Sequence, residues 1–199
     1  MIGATIVPQP LAGALFVSLA MSIAGIFHSL WLRCGCSHPF AIPIDGGKTF
    51  RSKRIFGKNK MWRGLMVMPF AASFAFAGLA YFRAALPEWI TSGMWTVPVT
   101  TYAILGFGCG LAFMLAELPN SFLKRQLGVF PGETAQQTPL AVFCFVLDRT
   151  DSVIGVLIML SLLVPVPAPM WGWALLVGVL AHSLFSMLLY LLHVKARPL

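Results

Sequence analysis

What most constrains this chain is the spacing of its charged residues. Long stretches carry none: the N-terminus to Arg33, Arg63 to Arg83, Glu88 to Glu117, and Asp151 to Lys195. A bilayer-crossing helix rises about 1.5 Å per residue through about 30 Å of hydrocarbon, so roughly 20 apolar residues suffice. Each stretch meets that length. The last is broken by Pro165, Pro167 and Pro169, a density at which a helix stops, so two helices share it. Its first half is too short to span alone. The apolar run 140–147 completes it and puts Asp148, Arg149 and Asp151 inside a helix. The expectation is an all-α integral membrane protein, one membrane domain over 1–199. Its five transmembrane helices fall at about 11–32, 64–86, 97–117, 140–164 and 170–192. Composition agrees: 58% of residues are hydrophobic and 10% charged, against about 25% charged in a water-soluble domain. That excludes a soluble enzyme, and abundant apolar residues exclude disorder.

Orientation follows from the cations. Of 14 Lys and Arg, only Arg83 falls on the side opposite the basic loops, and short basic loops mark the cytoplasmic face. The N-terminus is therefore expected outside and the C-terminus in the cytoplasm, with cytoplasmic loops at about 33–63 and 118–139. The N-terminus lacks the basic region and cleavage site of a secretory signal, so the first span is expected to be retained. Cys34 and Cys36 then lie at a cytoplasmic helix end, where thiols stay reduced. With His38 they do not make a common zinc spacing, and Cys109 and Cys144 fall in apolar runs.

Two cytoplasmic segments are candidates for chemistry. The first, Pro43–Gly64, holds Lys48, Arg51, Lys53, Arg54, Lys58, Lys60 and Arg63 against the single acid Asp45. Gly46, Gly47, Gly57 and Gly64 let the backbone fold close around a bound group and point amides at it. This composition suits a polyphosphate. The other reading is that cations beside a span only set topology and touch anionic headgroups. Gly47, Lys48 and Thr49 resemble the end of a P-loop, but that loop needs glycine five residues before Gly47, and neither Ile42 there nor Pro43 beside it is glycine. One tethered basic loop without a binding fold does not indicate nucleic acid, and none is expected as a partner.

The second segment, Glu117–Asp151, holds Ser121, Lys124, Arg125, Glu133, Asp148, Arg149 and Asp151. Asp148 and Asp151 are three residues apart, so a helix puts both carboxylates on one face. At the edge of hydrocarbon such a pair is costly unless it meets cations or metal. Arg149 is available to neutralise one as a structural pair. The alternative is a Mg²⁺ site, since Mg²⁺ is held by one or two carboxylates plus substrate phosphates; Glu133 is a weaker candidate ligand. His28, His182 and His193 lie in or beside spans and are read as packed or interfacial side chains. Together the segments offer cations for a triphosphate, carboxylates for its metal and an apolar interior for a lipid tail. A non-catalytic membrane protein with a lipid-binding basic loop, such as an assembly partner or small transporter, would explain the cations but not the paired aspartates.

At these residues the sequence resembles the CDP-archaeol synthase family of membrane cytidylyltransferases. The family's first loop, P-x-D-x-G-K-T-x-R then F-G-x-N-K-T-W-R-G, is matched by Pro43, Asp45, Gly47, Lys48, Thr49 and Arg51, then Phe56, Gly57, Asn59, Lys60, Trp62, Arg63 and Gly64. Met61 stands where the family has Thr. Its N-S-F-L-K-R and D-x-x-D-S strings are matched by Asn120–Arg125 and by Asp148, Asp151 and Ser152. The likeness to CDP-diacylglycerol synthases is more remote, because the Lys-Asp and Gly pairs of that signature are missing. The resemblance implies transfer of CMP from CTP to a membrane lipid phosphate, an archaeol-type glycerol ether phosphate or a related lipid, with Mg²⁺ required and the active site facing the cytoplasm of the cell (inner) membrane. It implies that Asp148 and Asp151 hold the metal, and that Lys124 and Arg125 complete the catalytic set. Lys48, Arg51, Lys60 and Arg63 are then expected on the CTP phosphates, with Asp45, Gly47, Asn59 and Ser121 as further substrate contacts.

Overall fold

A computed structural model of the chain describes residues 7–129 and 138–191. Glu133 and His193 lie outside the described residues. Helix α1 spans Pro10–Arg33, opening on a proline whose fixed φ and missing N–H suit a first helical turn. Helix α2 is Trp62–Tyr81, α3 a single turn at Glu88–Thr91, α4 Val99–Gln126, α5 Thr138–Leu163 and α6 Ala168–Leu191. Three of these, α1, α2 and α4, are long and apolar enough to cross a membrane. The prolines expected to divide the last apolar run do so, with Trp95 Nε1 donating to the Pro165 carbonyl at 2.9 Å between α5 and α6.

The long helices close a ring in which α1 packs on α2, α2 on α4, α4 on α5, α5 on α6 and α6 back on α1. Small residues let the backbones approach, as is usual where lipid removes the hydrophobic drive between helices. A Cβ placed on Gly106 of α4 would meet the Ala72 carbonyl oxygen of α2 at 2.4 Å, and one on Gly110 the Met68 carbonyl at 2.5 Å. At the end where α2 leads into α3, Phe16 packs edge-on against Phe76, Trp95 and Tyr102. Phe74, Leu162 and Leu184, by contrast, are left well exposed on the helices, the distribution expected when the outer solvent is lipid rather than water.

Three expectations are corrected. The segment expected as a loop from residue 118 is helical as far as Gln126. Pro119 removes only one backbone donor, and the turns around it are held by side-chain contacts to α5 described below. The chain expected to be all-α carries a small β element in its first loop: a 3₁₀ turn at Gly35–Phe40 is followed by an antiparallel hairpin, β1 Thr49–Phe50 with β2 Lys53–Arg54. Cys34 and Cys36, expected as thiols, are joined in a disulfide, because the turn beginning at Gly35 brings their Cα atoms to 5.2 Å, within the range a disulfide spans.

Candidate active site

The first loop is organised around Asp45. Its side chain is fully buried and accepts from the backbone N–H of Gly47 at 3.0 Å, Phe56 at 3.2 Å and Gly57 at 3.0 Å, and from the Arg54 guanidinium. Gly47 and Gly57 make this possible by adopting φ of 82° and 92°, a region side chains rarely enter. Burial alone would raise the carboxyl's pKa; the Arg54 guanidinium and the three amides outweigh it and hold the group at about 2. The amides expected to meet a bound anion thus meet the protein's own carboxylate, and Asp45 is a brace of the loop.

That brace has a purpose in position. The loop's base is closed by an Ile44 N–H to Lys60 carbonyl bond and a Trp62 N–H to Ile42 carbonyl bond, both 2.9 Å. Lys53 Nζ donates to the Gln126 carbonyl at the end of α4, where the helix dipole favours a cation, and Phe50 packs on Phe122 with ring centres 5.8 Å apart. Lys60 is thereby carried to Glu117 of α4, with which it pairs, and Asn59, Lys60 and Arg63 line the mouth of the cavity inside the ring. Lys48 and Arg51 are not brought there. Both are exposed on the hairpin, Arg51 at its tip with its guanidinium 5.3 Å from the Phe50 ring centre.

The second segment converges as a facing pair of helix surfaces. Glu117, Asn120 and Lys124 follow one face of α4, and Asp148, Asp151 and Ser152 one face of α5, by the three- and four-residue helical spacing. Asn120 Nδ2 donates to Asp148 Oδ1 at 2.8 Å and to Asp151 Oδ2 at 2.7 Å. Lys124 Nζ bonds both Asp148 oxygens, and Ser152 Oγ bridges Asp151 at 2.9 Å and Glu117 at 3.4 Å. Ser121 is buried beside Asn120, while Arg125 reaches the Val129 carbonyl. Lys124 is the cation that bonds Asp148; Arg149, which the sequence offered as one possible partner for either aspartate, lines the cavity instead. Asn120 and Glu117 had no assigned role, because a neutral amide or a lone acid carries no distinguishing pattern in a sequence.

The donors fit a hard cation. Two carboxylates meet at one amide, whose own oxygen, Asn120 Oδ1, is buried with no hydrogen bond among the described residues. The two carboxylates are oxygen donors of the kind Mg²⁺ takes, and the amide, which now turns its nitrogen to them, would add its oxygen by flipping over. No cluster of three or more His, Cys, Asp or Glu able to hold a metal occurs among the described residues, so substrate oxygens would complete the shell.

Below the mouth the ring encloses a cavity of about 560 Å³. Its rim carries Asn59, Lys60, Arg63, Glu117, Arg149 and Ser152; its depth is walled by Val17, Met21, Met68, Phe113, Val156 and Leu157. His28 and His182, read as packed side chains, both line it.

The helical ring thus carries cations and Glu117 on the wall of a largely apolar cavity, with the paired carboxylates between the neighbouring faces of α4 and α5. Comparison with known proteins gives the class to which this arrangement belongs. A model of the CarS-like family, CDP-archaeol synthase, matches residues 23–199. The CDP-archaeol synthase of Halobacterium salinarum is 30% identical over 162 residues, covering 78% of this chain and 82% of that one. That of Methanoculleus marisnigri is 27% identical over 168 residues, 78% and 89% of the two chains. That of Archaeoglobus fulgidus is 34% identical over 112 residues, 52% and 61%. No solved structure matches. The chain belongs to the CarS-like CDP-archaeol synthase family, and is with it an enzyme of the cytidylyltransferase class.

Proposed function

We propose that the chain transfers CMP from CTP to the phosphate of a membrane lipid, an archaeol-type glycerol ether phosphate or a related lipid, releasing pyrophosphate. The observation that carries this reading is the meeting of Asp148, Asp151, Asn120 and Lys124, joined through Ser152 to Glu117, two residues that line a largely apolar cavity. A phosphate-monoester oxygen attacks the α-phosphorus of CTP, and the bond from that phosphorus to the α,β-bridging oxygen breaks. The electron pair leaves with pyrophosphate. A dianionic phosphate plus CTP becomes a CDP-lipid plus pyrophosphate without net proton transfer, so no general base is required, and the protein's task is alignment and charge compensation.

Asp148 and Asp151 are the residues that would hold Mg²⁺, with Asn120 beside them. Bound there, the ion would offset charge on the triphosphate oxygens. Lys124 exchanges its Asp148 partner for a phosphate oxygen, and Arg125 and Ser121 flank it on α4. Lys60, Arg63 and Asn59 meet CTP from the mouth, Lys48 and Arg51 from the hairpin side, and Gly47 serves it through the loop shape that its bond to Asp45 fixes. Asp45 acts through the loop it orders rather than by touching CTP.

In this reading α5 and α6 also cross the bilayer, giving five spans with the N-terminus outside and the site at the cytoplasmic face of the cell membrane. The charges inside α5 are tolerable because each has a polar or charged partner within the bundle. Mass spectrometry of products from purified protein, CTP, Mg²⁺ and a panel of ether, ester and polyprenyl phosphates tests the reaction. A CDP-lipid is expected from at least one; none from any would refute it.

A further inference from the structure

The cavity contains a cation that forms no ion pair among the described residues; the acid beside it, Asp148, acts on it only through space. Arg149 is 7% exposed and lines the cavity. Its Nε donates to Ser183 Oγ of α6 at 3.3 Å and its Nη1 to the Phe145 carbonyl at 3.2 Å, with the guanidinium carbon 3.5 Å from the Phe145 ring centre. It takes part in none of the ion pairs among the described residues, because its neighbour Asp148 is held by Lys124 and Asn120. A guanidinium buried in a membrane bundle without a directly bonded counter-anion is costly. Pinned on two sides, it is also preorganised to receive one.

The charge of the cavity wall points to the same occupant. Among the described residues its cations are Lys60, Arg63 and Arg149, and the one carboxylate that lines it, Glu117, is already paired with Lys60. Arg63 donates to Ser37 Oγ at 3.4 Å. The surplus is two positive charges, against about −1.5 to −2 on a phosphate monoester at neutral pH. Further along α5 from Arg149 the wall becomes Val153, Val156 and Leu157, so an anionic head at Arg149 continues into an apolar chain.

We propose that Arg149 anchors the terminal phosphate of the acceptor lipid inside the ring, apart from the loop cations that take CTP; the inference rests on the transferase reading above. The two substrates then approach from opposite directions, CTP from the mouth and the lipid phosphate from the interior, with Asp148 and Asp151 between. The site selects an amphiphile ending in a phosphate monoester over the same lipid ending in a hydroxyl.

The test uses the full-length protein in detergent with a dialkylglycerol ether phosphate as probe. Arg149→Gln is expected to raise the KM for the lipid phosphate at least about tenfold, the scale of losing a charged hydrogen-bond donor, while the KM for CTP stays within about twofold. Arg149→Lys falls between, and Ser183→Ala, which only unpins Nε, raises the lipid KM a few-fold; these two serve if Arg149→Gln does not fold. In parallel, equilibrium binding of the probe without CTP, read by native mass spectrometry, should favour the phosphate over the matching alcohol in the wild type and lose that preference in the Arg149 variant. An unchanged lipid KM, or CTP and lipid KM rising together, overturns the proposal. A wild type that forms no CDP-lipid refutes the transferase reading instead, and the binding comparison then decides Arg149 alone.

Discussion

Replacing Asp45 by Asn keeps the side chain's shape and removes its charge, so it isolates the brace of the first loop. The carboxyl's fall from 3.8 to about 2 corresponds to about 2 to 3 kcal/mol of differential stabilisation, at about 1.4 kcal/mol per pKa unit. Asp45→Asn should therefore make the open form of the loop at least about tenfold more populated, without unfolding the ring, since local segments open independently of the core. The sign of the pH dependence follows from the depression. The stabilisation is complete above the unfolded value near 4 and is lost as pH falls through the folded value near 2. Limited proteolysis within residues 43–64 reads the loop directly. Wild type should be protected above about pH 4 and lose protection only on acidification toward pH 2, whereas Asp45→Asn should be cleaved rapidly at neutral pH. Because Lys60 is positioned by this loop, the variant should also raise the KM for CTP. Equal protection of the two proteins at pH 7 would refute the brace.

Other contacts give sharp expectations. Gly106→Val places a side chain where a Cβ alone would sit 2.4 Å from the Ala72 carbonyl and should cost about 3 kcal/mol or more, whereas Gly172→Ala, with nothing within 4 Å, should leave the thermal midpoint unchanged. A double-mutant cycle on Lys60→Met and Glu117→Gln should yield a coupling of about 1 kcal/mol in thermal stability; strict additivity would mean the pair is not made. Chelation of divalent metal should abolish turnover and added Mg²⁺ should restore it; full activity in chelator would contradict the assigned role of the carboxylates.

The helices were legible where apolar runs are unbroken. The span read at 11–32 is the helix Pro10–Arg33, because nothing in it competes with helix formation. The span read at 97–117 stops at the first charge after an apolar run, which says nothing of where the helix ends; across the bundle Glu117 meets Lys60 and Asn120 meets the aspartates, and the helix continues to Gln126. The one-turn spacing of Asp148 and Asp151 declared a shared face before any coordinates. What pairs with them did not, since the partner comes from another helix and the sequence offered Arg149, the nearest cation, in place of Lys124. Asp45 shows the opposite case: its motif was visible, but only the folded loop reveals that the donors around it belong to the protein. His28 and His182 read as packing residues because facing a cavity depends on ring closure.

The most direct measurement of the central claim is the yield of CDP-lipid from labelled CTP, Mg²⁺ and an ether lipid phosphate by wild type, Asp148→Asn and Asp151→Asn, assayed side by side with thermal midpoints. The account predicts product from wild type and a loss of at least about a hundredfold in each variant, as expected when a group that stabilises transition-state charge is removed, with the proteins still folded. Near-normal turnover in both folded variants would contradict it.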